Sequence, residues 1–379
     1  MVKKALVSVA ILGLTTIGLG SLPLPAKASI PALTNLFVFG DSLSDGGNAG
    51  LLTGGTFPPS PPYVGGRASN GEVAVEYLWN QFNPGNNSFN PSAASGGLGT
   101  NYALFGSTTG TTNNVPAFSV LGNSSQLQQF NSQNLPFNPS TSLFVVWFFP
   151  NDLLYWSGTG ATPGTIGNPS PTNDTPPAFV GASVSGLQQV IANAVNNIAT
   201  SIEILTSKGA TNFLVPNSPN LGSTPFFSSS PSAGLASFAS DAFNSALSAR
   251  LDSLQASLNT TDIIQFQADD LFSEVINQPA DYGLVNTTDS CFVAPTGSLC
   301  SNPDEYLFWD GNHPTTAVHR ILGSAFYDAV RTPVPGPLPG PLPVSGPLPV
   351  FGAAAAFGYS RKLRKRMKSR KLPLAGVID

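Results

Sequence analysis

The chain contains few charged residues and very few basic ones. Lysine, arginine, aspartate and glutamate make up 9% of its 379 residues, against about a quarter in an average soluble domain. Most of the sixteen basic residues lie before residue 28 or between Arg361 and Lys371, so residues 29–330 hold four basic side chains against nineteen acidic ones, a net charge of about −15. Such a body repels nucleic acid and anionic surfaces, which excludes a nucleic-acid function.

Histidine and cysteine are also scarce. His313 and His319 are the only histidines, and Cys291 and Cys300 are the only cysteines. Any histidine-dependent reaction must therefore use one of two residues, and we expect no metal and no organic cofactor. In an exported chain, two cysteines this close favour a disulfide that closes a local loop. A zinc site is the alternative, although it would have to draw on the same two histidines.

The first 28 residues have the pattern of a signal peptide. Lys3 and Lys4 precede an apolar stretch, Ala5–Gly20, and Ala26–Ala28 supplies a small-x-small cleavage motif. We predict cleavage before Ser29 and export to the periplasm, the cell surface or the medium. A membrane anchor is the alternative, but the apolar stretch is short and rich in small residues.

The composition changes again after Val330. Residues 331–349 contain Gly-Pro-Leu-Pro three times, which predicts an extended, semi-rigid linker. Residues 350–379 are a short apolar segment and a basic cluster, a pattern that favours membrane anchoring or sorting over a solubilising tail. This order of parts resembles the PEP-CTERM sorting signals of exported Gram-negative surface proteins, except that the central acid of that motif is replaced in Pro335-Gly336-Pro337. The resemblance implies contact with a membrane or a sorting protease.

Residues 29–330 alternate between two kinds of pattern. Short apolar runs predict strands at Leu36–Gly40, Leu143–Phe149, Asn212–Pro216 and Asp262–Phe266. Apolar residues at helical spacing predict helices at Glu72–Trp79, Val184–Ser207, Leu235–Leu258 and after Pro314. Strands separated by such helices indicate an α/β fold with a parallel sheet covered on both faces. In such sheets ligands bind beyond the carboxyl ends of the strands.

Two groups of residues have the chemistry of nucleophilic catalysis. Ser42 follows the first predicted strand in a Gly-Asp-Ser turn, where a serine can act as a nucleophile or, more commonly, cap a helix. Asp310 and His313 lie three apart, just before the helix that Pro314 opens. At this spacing the carboxylate can accept the Nδ1–H of the imidazole and leave Nε2 as a base. The alternative is a surface pair without a function.

Two further residues are candidates for binding an oxyanion. Asn151 follows the apolar run that ends at Phe149, so its amide can project at a strand end. Gly106 can offer a backbone N–H with no side chain in the way. Either residue alone is a weak signal, because Asn-Asp after a strand usually forms a turn.

Ser42, Gly106, Asn151 and His313, in this order and these settings, match the four blocks of the SGNH, or GDSL, hydrolase family. Between the blocks the chain also resembles that family's exported esterases and lipases, at Gly65–Gly71, Phe213–Asn217 and Tyr282–Leu284. The resemblance covers roughly residues 33–330. It implies a three-layer α/β/α, flavodoxin-like fold with a mostly parallel five-stranded sheet and long loops at the carboxyl ends of the strands.

The same resemblance assigns roles to these residues. It implies hydrolysis of carboxylic esters through an acyl-enzyme on Ser42, with His313 as general base and then acid, and with Asp310 orienting His313. The N–H groups of Ser42 and Gly106 and the side chain of Asn151 would bind the oxyanion. The expected partner is a small-molecule, lipid or glycan ester.

Some features depart from the family pattern or leave alternatives open. Phe105 and Phe149 stand where relatives commonly have glycine, so two phenyl rings can narrow or dry the acyl pocket. The sequence gives His319 no role beyond helix packing. A carbohydrate O-acetyl esterase, with Phe226–Phe227 or Tyr155–Trp156 against sugar rings, is one alternative function. A catalytically inactive surface-binding protein is the other.

Overall fold

The computed structural model describes residues 30–331, apart from residues 95, 97, 160–161, 167–184 and 295. The predicted signal peptide, the linker and the tail therefore lie outside the described residues, as does most of the loop between residues 158 and 177. Within the described ranges, no helix combines the length and the apolar character needed to cross a membrane.

Four parallel strands form the central sheet in sequential order: β1 (Asn35–Gly40), β2 (Ser142–Trp147), β3 (Asn212–Pro216) and β4 (Asp262–Phe266). β1 and β2 pair along their whole length, from Asn35 opposite Ser142 to Gly40 opposite Trp147. The prediction that the second strand continues to Phe149 was wrong. Its backbone turns at Phe149, where φ is 129°, and a helix begins directly afterwards.

The expected fifth strand is replaced by an irregular segment, since the sheet has four strands among the described residues. Residues 100–104 run beside β1: the Val38 N–H donates to the Thr100 carbonyl (3.0 Å), and the Tyr102 N–H donates to the Val38 carbonyl (2.8 Å). The side chain of Asn101 accepts the N–H of Ala103 (3.1 Å). Such local side-chain bonds compete with a regular strand ladder, so the segment covers the sheet edge without forming a strand.

The helices of the described region are α1 (Asn48–Leu52), α2 (Ala74–Phe82), α3 (Asn123–Gln133), α4 (Pro150–Thr159), α5 (Ser185–Ser207), α6 (Pro225–Ser228), α7 (Ala233–Ser257), α8 (Ala268–Asn277) and α9 (Thr316–Arg331). The four predicted helices correspond to α2, α5, α7 and α9, with small shifts at their ends. Two small pairs of strands lie outside the main sheet: β5 (Asn286–Ser290) with β8 (Tyr306–Phe308), and β6 (Phe292–Val293) with β7 (Ser298–Leu299).

The sheet separates two apolar cores. Successive residues of a strand point to opposite faces, and in β1 Phe37 and Phe39 pack with α3, α5 and α7. Leu36 and Val38 pack on the other face with α2, α8 and α9. Helices on both faces confirm the predicted three-layer α/β/α architecture. Because the four strands are parallel, their carboxyl ends meet at one edge, where Ser42 and Asn151 follow β1 and β2.

Candidate active site

β1 ends in a single helical turn that presents Ser42. The N–H groups of Ser44 and Asp45 donate to the carbonyl of Asp41 (3.1 and 3.0 Å), and the N–H of Leu43 donates to Asp41 Oδ1 (3.0 Å). The capping role that the sequence left open for Ser42 is therefore taken by Asp41. The hydroxyl of Ser42 points instead to another part of the chain.

Ser42, His313 and Asp310 form a continuous chain of hydrogen bonds. Ser42 Oγ lies 2.8 Å from His313 Nε2, and His313 Nδ1 lies 2.8 Å from each carboxylate oxygen of Asp310. Because Nδ1 faces a carboxylate, it carries the proton, and Nε2 is left to accept the hydrogen of Ser42. The structure thus brings together the three side chains that the sequence singled out.

Burial and charge act in opposite directions on this pair. Burial alone would lower the pKa of His313, but the charge and hydrogen bond of Asp310, and the charge of Asp41, raise that pKa above its ordinary value. Burial alone would raise the pKa of Asp310, but the charge and hydrogen bonds of its donors hold it below its ordinary value. The site is therefore built to keep an ionised carboxylate beside a readily protonated imidazole.

Asp310 has a further partner that the sequence did not reveal. The hydroxyl of Tyr63 donates to Asp310 Oδ2 (2.7 Å). The backbone N–H groups of Asn312 and His313 donate to Asp310 Oδ1 (2.9 Å each). Tyr63 lies in the glycine- and proline-rich loop between α1 and α2, so no local pattern links it to residue 310.

Gly106 and Asn151 border the same cavity as Ser42. Gly106 has φ 80°, and a Cβ there would lie 2.5 Å from Asn113 Oδ1, so only glycine fits. Asn151 lies in the first turn of α4, a helix that the sequence did not predict. In the described part of the chain, the N–H groups of Ser42 and Gly106 have no hydrogen-bond acceptor, so both remain able to bind an oxyanion.

Asn114, which the sequence analysis missed, connects the two candidate oxyanion donors. Its backbone N–H donates to the carbonyl of Gly106 (2.9 Å). Its side-chain amide donates to both the carbonyl and Oδ1 of Asn151 (2.9 Å each). Since Oδ1 of Asn151 is an acceptor here, the Nδ2 group of the same amide is the one that can donate to a substrate.

Two buried carboxylates hold the loop that carries Gly106. Asp45 Oδ2 accepts the N–H of Phe105 (2.9 Å), and Asp152 accepts the N–H and the hydroxyl of Thr109 (2.9 and 2.5 Å). Burial raises the pKa of Asp45 to about 6 and that of Asp152 to about 7, although these hydrogen bonds oppose the shift. The sequence signalled neither role: Asp45 is the last residue of the first family block, and Asp152 directly follows Asn151.

His319 caps a helix. Its side chain is buried, and Nδ1 accepts the N–H of Ala74 (3.3 Å), the first residue of α2. Burial, together with the charge of His313, lowers the pKa of His319 to about 3. The imidazole is therefore neutral near pH 7, as an acceptor for an N-terminal N–H of a helix must be.

The cavity beside Ser42 has a volume of about 270 Å³. Apart from the polar residues already described, most of its lining is apolar, and it includes Leu43, Phe105, Val115, Leu154, Leu221, Phe227, Phe272, Ile276 and Phe308. Of the aromatic pairs proposed as sugar platforms, Phe227 lines the cavity, whereas Tyr155 and Trp156 do not. The lining suits an apolar ligand better than a polar one.

The two phenylalanines that replace family glycines have different positions. Phe105 lines the cavity, and its ring centre lies 5.2 Å from that of His313. Phe149 is fully buried and does not line the cavity. Its ring stacks on that of Phe243 in α7, with centres 3.9 Å apart and planes 6° from parallel. The expectation of two rings near the acyl pocket is therefore correct for Phe105 and wrong for Phe149, whose positive φ turns it into the core.

Cys291 and Cys300 form a disulfide, with Cα atoms 4.8 Å apart. The bond closes the segment that contains the β6–β7 hairpin. Both thiols are consumed by this bond, so neither is available for the alternative zinc site. The closed segment packs through Cys291 and Phe292 against Trp309, immediately before Asp310.

The chain is similar in sequence to a known protein family and to several of its members. The profile of the family described as GDSL-like Lipase/Acylhydrolase matches residues 36–326. The phosphatidylcholine-sterol acyltransferase of Aeromonas hydrophila is 27% identical over 355 residues, which cover 81% of this chain and 92% of that protein. A GDSL esterase/lipase of Arabidopsis thaliana is 26% identical over 340 residues, or 77% and 86% of the two chains.

Among solved structures, the acetylxylan esterase of Geobacillus stearothermophilus is similar with a TM-score of 0.39 and 14% identity, over 80% of this chain and 96% of that one. The family profile spans most of the chain and includes all four blocks that carry the site. The chain belongs to the GDSL-like lipase/acylhydrolase family and is an ester hydrolase of that family.

Proposed function

We propose that the protein is an exported serine hydrolase that cleaves carboxylic esters with an apolar acyl chain through an acyl-enzyme on Ser42. The observation that carries the proposal is the unbroken hydrogen-bond chain from Ser42 Oγ through His313 to Asp310 at an apolar cavity. Export is supported by the signal-peptide pattern of residues 1–28 and by the disulfide.

In the first half of the reaction, Ser42 Oγ attacks the ester carbonyl carbon and its proton passes to His313 Nε2. The resulting imidazolium is stabilised by the carboxylate of Asp310. The carbonyl oxygen becomes an oxyanion, which accepts hydrogen bonds from the N–H groups of Ser42 and Gly106 and from Asn151 Nδ2. When the tetrahedral intermediate collapses, His313 returns the proton to the leaving alcohol and the acyl group remains on Ser42.

In the second half, water takes the place of the alcohol. His313 Nε2 accepts a proton from the water, whose oxygen attacks the acyl carbon in the same oxyanion site. The second tetrahedral intermediate then releases the carboxylic acid, and the proton returns from Nε2 to Ser42 Oγ. Ser42, His313, the leaving alcohol and water account for every proton that is transferred in the two halves of the reaction.

Replacing Asn151 by alanine is expected to lower kcat by about 10²- to 10³-fold, as for other single oxyanion donors. The hydrogen bond forms fully only to the oxyanion, so KM should change much less than kcat. Steady-state hydrolysis of one ester, over a range of concentrations that extends to saturation, measures both constants. A loss of less than about threefold in kcat would remove Asn151 from the oxyanion site.

The cavity size predicts which acyl chain is preferred. The cavity of about 270 Å³ has a mostly apolar lining and has room for an acyl chain of several carbons beside Ser42. Each methylene that enters an apolar cavity contributes about 0.8 kcal/mol, or about fourfold in binding. We therefore expect kcat/KM to rise steeply from two carbons and to be highest for chains of about six to ten carbons.

A series of p-nitrophenyl esters from acetate to palmitate, tested on the full-length protein, measures this profile. A maximum at acetate would contradict the assignment and favour the O-acetyl esterase alternative, which release of acetate from acetylated glycans would then test. Absence of hydrolysis across the whole series, with the protein folded and its disulfide formed, would favour the non-catalytic binding protein.

A further inference from the structure

Tyr63 contacts the candidate catalytic residues from outside their own loop. Its half-buried side chain donates from the hydroxyl to Asp310 Oδ2 (2.7 Å), across 247 residues of sequence. The residue belongs to the long segment between α1 and α2, which the family blocks do not include. None of the steps of the proposed reaction uses this contact directly.

The contact fixes the half of the Asp310 carboxylate that the local turn leaves unsupported. Oδ1 accepts the N–H groups of Asn312 and His313 (2.9 Å each), which belong to the same turn. Among the described residues, Oδ2 has only two donors, namely Nδ1 of His313 (2.8 Å) and the hydroxyl of Tyr63 (2.7 Å). Without Tyr63, only the imidazole that Asp310 has to orient would hold this oxygen.

The ring of Tyr63 is itself held by the disulfide-closed segment. It meets Phe292 edge to face, with centres 5.7 Å apart, and Trp309 in the same manner at 6.3 Å. Phe292 follows Cys291 of the disulfide, and Trp309 precedes Asp310. The N–H of Phe292 donates to the carbonyl of Trp309 (2.6 Å). The two residues that contact the Tyr63 ring are therefore hydrogen-bonded to each other, directly before Asp310.

We propose that Tyr63 is a positioning residue of the ester hydrolase: its hydroxyl holds Oδ2 of Asp310, and the disulfide-closed segment holds its ring. Through Asp310 it fixes the orientation of the His313 imidazole toward Ser42. The proposal rests on the proposed function for its consequence in catalysis, but the hydrogen-bond contact can be tested without any substrate.

The charges around His313 give the contact a measurable signature. His313 interacts with the carboxylates of Asp310 and Asp41, and it is close enough to His319 to influence it electrostatically. The Tyr63 hydroxyl helps to lower the pKa of Asp310, because a hydrogen-bond donor withdraws negative charge from the carboxylate. Removing the donor leaves more negative charge facing Nδ1–H and so raises the pKa of His313 further.

The test is Tyr63→Phe, which keeps the ring and removes only the hydroxyl, in the full-length protein labelled with ¹⁵N-histidine. The matched control is Tyr306→Phe, because Tyr306 packs on the same cluster. The chain has only two histidines, and His319, with a pKa of about 3, does not titrate near neutral pH. The single titrating imidazole therefore reports His313.

We expect the titration midpoint of His313 to lie about half a pH unit to one pH unit higher in Tyr63→Phe than in the wild type, and to be unchanged in Tyr306→Phe. The acidic limb of the kcat/KM profile should move in the same direction, and kcat on its plateau should fall about threefold to tenfold. If Tyr63 only excluded water, its loss would weaken the attraction of Asp310 and the midpoint would fall instead.

A second measurement leaves the ring contacts in place. Replacing all eight tyrosines by 3-fluorotyrosine makes the phenol a stronger donor, which should lower the His313 midpoint. An unchanged or lowered midpoint in Tyr63→Phe, or equal shifts in both phenylalanine variants, would overturn the proposal. If Tyr63→Phe does not fold, an unchanged His313 midpoint in the fluorinated protein would overturn the proposal. Failure of the wild type to hydrolyse any ester would refute the proposed function alone, because the titrations still decide the role of Tyr63.

Discussion

Replacement of Ser42 by alanine is expected to reduce kcat/KM for the preferred ester by at least about 10⁴-fold. The change removes the Oγ that lies 2.8 Å from His313 Nε2, so no acyl-enzyme can form. Water would have to attack the ester directly, helped only by the oxyanion donors. Steady-state hydrolysis measures the loss, and mass spectrometry after mixing with a slowly deacylated ester should find the acyl adduct on the wild type alone.

Ser44→Ala is the matched control for this experiment. Ser44 lies on the same turn, is fully buried and, among the described residues, has a hydroxyl without a hydrogen-bond partner. Alanine should therefore be accommodated there with little change in activity. If Ser42→Ala keeps more than about a tenth of wild-type activity, or if the acyl group is found on another residue, the serine mechanism is wrong.

Asp310→Asn is expected to lower kcat by about 10⁴-fold while the fold is retained. The carboxylate keeps the proton on Nδ1 by accepting it with both oxygens at 2.8 Å. An asparagine amide can turn an N–H toward Nδ1, which stabilises the tautomer with the proton on Nε2. In that tautomer Nε2 donates and can no longer accept the proton of Ser42.

The control for Asp310→Asn is Asp304→Asn, which removes one negative charge from an exposed position six residues upstream. This variant should retain wild-type kcat, so that any loss at residue 310 cannot come from the net charge of the region. A kcat for Asp310→Asn within tenfold of the wild type would show that Asp310 does not set the tautomer. His313 would then need another orienting group.

The sequence located the four parallel strands because their apolar residues are buried on both faces of the sheet, whereas the expected fifth strand is wrong for the described residues. β3 and β4 begin and end at the predicted residues, and the pattern of β1 differs by one residue. α3 was missed because its residues are mostly serine, asparagine and glutamine, which carry little apolar periodicity. α4 was missed because it begins with Pro150-Asn151-Asp152, a sequence equally typical of a turn.

The candidate site shows the same division between local and distant information. Ser42, Asp310 and His313 could be found because each lies in a short stretch whose chemistry is legible by itself. Tyr63 and Asn114 could not, because their importance arises from contacts with residues far away in sequence, namely Asp310 and Asn151. The sequence showed that residues 105 and 149 are aromatic. It could not show where each ring points, because this depends on the backbone torsion angles and on the neighbouring helices.

The stacked rings of Phe149 and Phe243 link two residues that lie far apart in the sequence. A non-glycine residue at φ 129° stores backbone strain on the order of 1–3 kcal/mol, and the stacked ring offsets part of it by filling the core against Phe243. Glycine at 149 alone would relieve the strain but leave a void, and loss of Phe243 alone would leave the strain uncompensated. Substitutions at residues 149 and 243 are therefore expected to be coupled, so that the loss of stability on changing both residues differs from the sum of the losses for the two single changes.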